Sequence, residues 1–234
     1  MKKIIFLISI ILISISSTNI LIWNEDKNTI DKEAVQLNNI ENEIEENDNI
    51  KINNMFDELK KINKDFIGWI ELSNTKINYP LVQYKDNKHY LNHTYYNKKN
   101  DAGWIFLDYR NNNNFEDENT IIYGHNRFDG SMFGSLKNVI AKKDNYIISI
   151  DTKYYTILYK VFSVYKIKTT SDYLITNFKN KTDYKLFINL LIKRSKYDYK
   201  IDVSADDKIL TLSTCSGSSH KLVVHAKKIR LQYK

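Results

Sequence analysis

One cysteine occurs in the 234 residues, Cys215, at the point where the apolar run KILTLSTC gives way to SGSS. A single thiol cannot close an intramolecular disulfide, and it lacks the sulfur partners of a zinc cluster. A structural cysteine is expected mid-strand, flanked by alternating apolar residues. Cys215 instead ends its run among small polar residues, the context of a reactive thiol. A free thiol has a pKa near ~8.5, so a nucleophile working at neutral pH needs a histidine, a cation or a helix N-terminus beside it.

Five histidines could serve: His89, His93, His125, His220 and His225. His125 follows the strand TIIY and the breaker Gly124 and precedes Asn126, so it is expected at a strand end facing a cleft. His89 and His93 lie in a polar, tyrosine-rich loop and read as surface residues. His220 is near Cys215 in sequence, but the intervening SGSS leaves its direction open. His225 alternates within the last apolar run and reads as structural. Acyl transfer also needs donors where an oxyanion forms. Lys221, Val223 and His225 share one face of the last strand, and Lys221 follows a short loop that can return it beside the thiol. Arg230 lies nine residues further, about 30 Å along an extended strand, which removes it from the site.

The elements that must position these groups are mostly strands. The 17 Tyr and 10 Phe, with many Ile, Thr and Val, favour a β-rich body. Alternation between Gly, Asn and Asp clusters predicts strands at 66–72, 77–83, 103–109, 120–123, 146–150, 154–168, 208–214 and 222–231. Met55, Phe56, Leu59 and Ile62 have helical spacing. So do Tyr184, Phe187, Ile188, Leu191 and Ile192, after Thr182 as a candidate N-cap. The Asn111–Asn114 patch reads as a turn.

The first 23 residues differ from the rest. Two lysines precede roughly 20 uncharged residues, long enough to cross a bilayer core as a helix. A cleaved signal peptide has a shorter apolar region and a small-residue cleavage site, which is missing here. An uncleaved anchor is expected, with the N-terminus inside and the body outside. Residues 24–52 are polar and acidic and read as a stalk, partly helical or disordered, leaving 53–234 as the catalytic body. Residues 24–60 carry 11 acidic and 4 basic side chains, and residues 61–234 carry 17 acidic and 29 basic. A basic exported body suits a polyanionic envelope. The lysines are scattered and no nucleic-acid motif accompanies them, so nucleic acid is not an expected partner.

TLSTC at one strand end, paired with NTIIYGHNRFDGSMFG upstream, resembles the sortases, cysteine transpeptidases of Gram-positive cell surfaces. FIGWIELSNTKINYPLVQ, DNKHYLNH and AGWIFLDYRN look like the early strands of the class B branch. The resemblance covers roughly residues 53–231. It implies a mainly β fold: an eight-stranded barrel with an N-terminal helical extension and a helix inserted between the sixth and seventh strands. It also implies a thioacyl mechanism with Cys215 as nucleophile and His125 as acid–base. Sortases carry an arginine shortly before the V-V of the last strand. Here Lys221 stands at that position, with Arg127 the other cation near a catalytic motif. Ser213, Asn92, Leu91 and Tyr95 are the candidates for the substrate groove. The expected substrates are surface proteins bearing an N-P-x-T-x type C-terminal sorting signal, cleaved after Thr. The acceptor would be a peptidoglycan or lipid II amine, and no metal or organic cofactor is implied. Two alternatives remain open: a secreted cysteine endopeptidase with water as acceptor, and a non-catalytic wall-binding module.

Overall fold

The computed structural model of the protein describes residues 2–45, 49–168, 170–215 and 220–234. Eight strands close into one barrel: β1 (Phe66–Leu72), β2 (Asn78–Val82), β3 (Phe106–Leu107), β4 (Asn119–His125), β5 (Ile147–Asp151), β6 (Tyr155–Lys168), β7 (Ile209–Cys215) and β8 (His220–Tyr233). Their order around the barrel is β1-β2-β3-β4-β7-β8-β6-β5. The β2/β3 and β4/β7 pairs are parallel and the others antiparallel.

Several boundaries differ from the sequence expectation, each for a local reason. β3 keeps only two residues of the expected seven, because Gly103 adopts φ +59° and the chain turns before Phe106. β4 runs on through Gly124 to His125. Gly124 is therefore no strand breaker. A Cβ there would lie 2.7 Å from the Phe133 ring, so the glycine admits that aromatic against the sheet. The inserted helix α4 (Lys181–Arg194) is capped by Asn180 and not by Thr182. The Asn180 Oδ1 accepts from the Asp183 backbone N–H at 2.9 Å. A short helix α3 (Leu136–Ala141) was not expected.

Strand parity separates two packed layers. Leu210, Leu212, Val224 and Ala226 belong to the main core, together with Ile148, Ile150 and Ile157. Ile209 and Val223 point outward, and α4 covers them with Tyr184, Phe187, Ile188 and Leu191. Thr211, Ser213 and His225 lie on this outer face and are buried under the same cover. At the N-terminus, α1 (Lys2–Glu45) and α2 (Asn49–Ile62) precede the barrel. Residues 24–45, which composition marks as a spacer, continue α1 and bury Ile30, Glu33 and Leu37 against the body.

His225 ties four strands together beneath α4. Thr211 Oγ1 donates to Asn119 Oδ1 at 2.7 Å, so it accepts from His225 Nδ1 at 2.9 Å. His225 Nε2 then accepts from the Tyr165 hydroxyl at 2.8 Å. The imidazole is thus held neutral in one tautomer, and burial lowers its pKa from 6.5 to about 3, with Arg194 nearby adding to the effect. The unfolded chain takes up a proton as pH falls through 6.5, whereas the native ring does not. Stability from this site is therefore full above that pH and lost progressively towards about 3. Thermal melts across this window should fall more steeply for the wild type than for His225→Gln, whose amide does not titrate. Parallel profiles would assign the acid sensitivity elsewhere.

Candidate active site

The parallel pairing of β4 with β7 fixes the site. Gly124 is level with Thr214, and His125 is level with Cys215. On the other side of β7, antiparallel β8 sets Ser213 opposite Val223. Beyond that pair, the Leu222 backbone N–H donates to Thr214 Oγ1 at 3.0 Å, and Lys221 is the residue before it on β8. The neighbouring strands β4, β7 and β8 therefore carry a histidine, a cysteine and a lysine near their ends.

His125 is half-buried, and its Nε2 lies 2.7 Å from the Leu91 carbonyl oxygen. A carbonyl only accepts, so in this contact Nε2 is the ring nitrogen that donates. Leu91 ends a single 3₁₀ turn (His89–Leu91). Gly103 closes behind this turn: a Cβ there would lie 2.5 Å from Tyr90 O, 2.8 Å from Leu91 O and 2.9 Å from His125 Cδ2. The missing side chain lets the turn and the imidazole meet. The His125 carbonyl accepts from Phe133 N at 2.9 Å and Arg127 N at 3.1 Å, which folds the following loop back onto the strand end.

The other residues singled out from sequence fall into distinct places. Leu91 is half-buried beside His125, and Asn92, the next residue, is exposed. Ser213 is buried, with its Oγ 2.9 Å from the Tyr173 hydroxyl, and so lies beneath the segment that leads into α4. Tyr95 is fully buried. Its hydroxyl donates to Leu59 O at 2.7 Å, and its ring packs on Phe66 and Trp104, a core position. Arg127 is engaged in its own loop: Nε donates to Ser131 Oγ at 3.1 Å and Nη2 lies 3.3 Å from Asp129 Oδ2. Arg110 and Arg194 pair with Asp108 and Asp172. Sequence reasoning missed Gly103 and Tyr173. Leu91, named as a groove candidate, meets His125 through its backbone carbonyl. The lone glycine in DAGW was the available signal for the first.

A Sortase domain family model matches residues 70–229. The chain is 42% identical over 163 residues to sortase B of Listeria monocytogenes, covering 68% of this chain and 65% of that protein. It is 39% identical over 183 residues to sortase B of Staphylococcus aureus, covering 75% of each. The fold matches the Staphylococcus aureus sortase B–substrate complex with a TM-score of 0.76 at 34% identity, over 88% of this chain and 97% of that one. A domain match and relatives of this extent on one branch decide the question of kinship: the chain belongs to the sortases, the family of cysteine transpeptidases, on their class B branch.

Proposed function

We propose that this sortase cleaves a C-terminal sorting signal of N-P-x-T-x type after its threonine and joins the new carboxyl end to an amine of the cell-wall cross-bridge. The observation that carries this reading is the β4/β7 register, which sets His125 level with Cys215 at adjacent strand ends. The Cys215 thiolate attacks the threonine carbonyl carbon, and a tetrahedral oxyanion forms. The C–N bond then breaks as His125 gives its proton to the departing amine, leaving a thioacyl enzyme. An incoming amine attacks that thioester and His125 takes its proton. The C–S bond breaks, the thiolate returns, and a new amide is formed. An extended peptide passing Leu91 would lie beside the imidazole. The apolar start of α1 has the length and composition of a membrane anchor or a signal. The reading adopted is a single-pass anchor with the catalytic body outside.

The test is product analysis of a sorting peptide incubated with and without an amine acceptor. Transfer product in the presence of amine is the expected result. Hydrolysis alone, undiminished by amine, would replace this reading with a peptidase.

Lys221 is assigned to the oxyanion, because it stands near the start of β8, the strand that pairs with β7, while Arg127 is held by Asp129 and Ser131. Lys221→Ala should lower single-turnover acylation by about 10²–10³, the usual cost of a missing oxyanion donor. Peptide affinity should hardly change, since only interactions stronger in the transition state speed the step. Lys221→Arg should retain activity, its fork supplying the same charge with more donors. A silent Lys221→Ala beside a disabling Arg127→Ala would reverse the assignment.

A further inference from the structure

The catalytic end of the barrel touches the membrane-proximal end of α1. The apolar run of α1 ends at Trp23, and the helix continues without a break to Ile30, the first residue buried against the body. Seven residues of helix span only about 10 Å, so the body begins close to the end of the apolar run. It begins even closer on one side: the Arg127 guanidinium lies 5.7 Å from the centre of the Trp23 ring. Arg127 is two residues beyond His125, and Trp23 is the aromatic type that settles at the headgroup level of a bilayer.

The loop that carries Arg127 has the composition of an interfacial contact. Phe128 is 92% exposed, the most exposed large apolar side chain of the body. Lys137 reaches over it, with Nζ 5.8 Å from the ring and 3.2 Å from the Phe128 carbonyl oxygen to which it donates. A Cβ at Gly130 would lie 3.8 Å from Lys76 Cδ, so a second lysine flanks the same loop. Asp129 is occupied by Arg127 and by Ser131, whose Oγ donates to Oδ1 at 2.6 Å. An exposed aromatic ringed by cations in this way matches an anionic lipid surface, which takes the ring among its acyl chains and the cations at its phosphates.

We infer that the loop 126–130 docks on the outer leaflet of the membrane that α1 spans, with Phe128 inserted at the interface and Lys137 and Lys76 on anionic headgroups. This rests on the reading of α1 as a membrane anchor. Its consequence is that the His125 end of the barrel faces the bilayer, where a substrate or acceptor still attached to lipid would present itself.

Tryptophan quenching tests both readings separately, because Trp69 and Trp104 are buried and only Trp23 is accessible among the three. The full chain is reconstituted in vesicles of phosphatidylcholine and phosphatidylglycerol carrying brominated acyl chains. In the wild type, loss of Trp23 emission is expected. Its absence would defeat the anchor reading and the docking with it. In the double variant Trp23→Phe, Phe128→Trp, the introduced indole should lose emission to brominated lipid to the same extent and be shielded from aqueous iodide. Quenching by iodide and not by lipid, with wild-type Trp23 still quenched by lipid, would overturn the docking alone. The wild type offers a second readout without substitution: amide exchange of residues 126–130 should slow when phosphatidylglycerol replaces part of the phosphatidylcholine, and an unchanged rate would count against docking.

Discussion

Cys215→Ala is expected to abolish both the covalent adduct with a sorting peptide and all turnover, while leaving the melting temperature close to that of the wild type. The chemical half follows from the proposed sequence of steps, in which every bond made to the substrate passes through the thiol sulfur. No other cysteine exists to replace it. The structural half follows from the strand. β7 is held by its backbone pairing with β4 along its whole length and with β8 up to Ser213. Removing one sulfur at the end of the strand leaves those ladders intact. Intact-mass spectra after incubation with peptide, together with thermal melts, read both halves at once. A packed cysteine would behave differently, with a loss of about 2–5 kcal/mol on the scale of core truncations. That loss, with turnover reduced only in proportion to unfolded protein, would make Cys215 a core residue and leave the reaction without a nucleophile.

The β-rich body and the approximate place of each strand were legible because alternation is a local property of the chain, and so was the helix around Tyr184 to Leu191. What could not be read is set by contacts between distant segments. The β4/β7 pairing is parallel and joins residues 119–125 to residues 209–215, so no hairpin turn announces it. Without that register, His125 and Cys215 are two residues of the right type, and with it they are neighbours. The imidazole's contact is a backbone carbonyl 34 residues away, which no side-chain pattern reveals. Ser213 shares strand parity with Cys215 and so looked accessible, yet Tyr173, 40 residues upstream, covers it. Gly124 looked like a stop because glycine is depleted in strands. Its tertiary reason, the ring of Phe133, lies outside any local window. Tyr95 shows the limit from the other side: a tyrosine in a polar loop sequence is, in the fold, a core residue bonded to Leu59.

His125→Ala is expected to lower single-turnover acylation by about 10²–10⁴, the range that a positioned acid–base supplies. The geometry also predicts what will fail to rescue it. Since Nε2–H donates to the Leu91 carbonyl, that contact orients the ring. His125→Gln can restore a donor to that carbonyl, but its amide cannot exchange a proton at neutral pH. It should therefore be as slow as His125→Ala, which separates proton transfer from mere support of the loop. Gly103→Ala attacks the same arrangement from behind. Its methyl would press on Tyr90 O, Leu91 O and the imidazole edge, at a residue whose φ of +59° already disfavours a side chain. A lower acylation rate is expected there too, accompanied by a lower melting temperature, whereas His125→Ala should spare stability. His220 is the rival, closer to Cys215 in sequence and at the start of β8. Acylation unaffected by His125→Ala and disabled by His220→Ala would move the acid–base role to β8, on the other side of β7, and the β4/β7 register would then have no part in the chemistry.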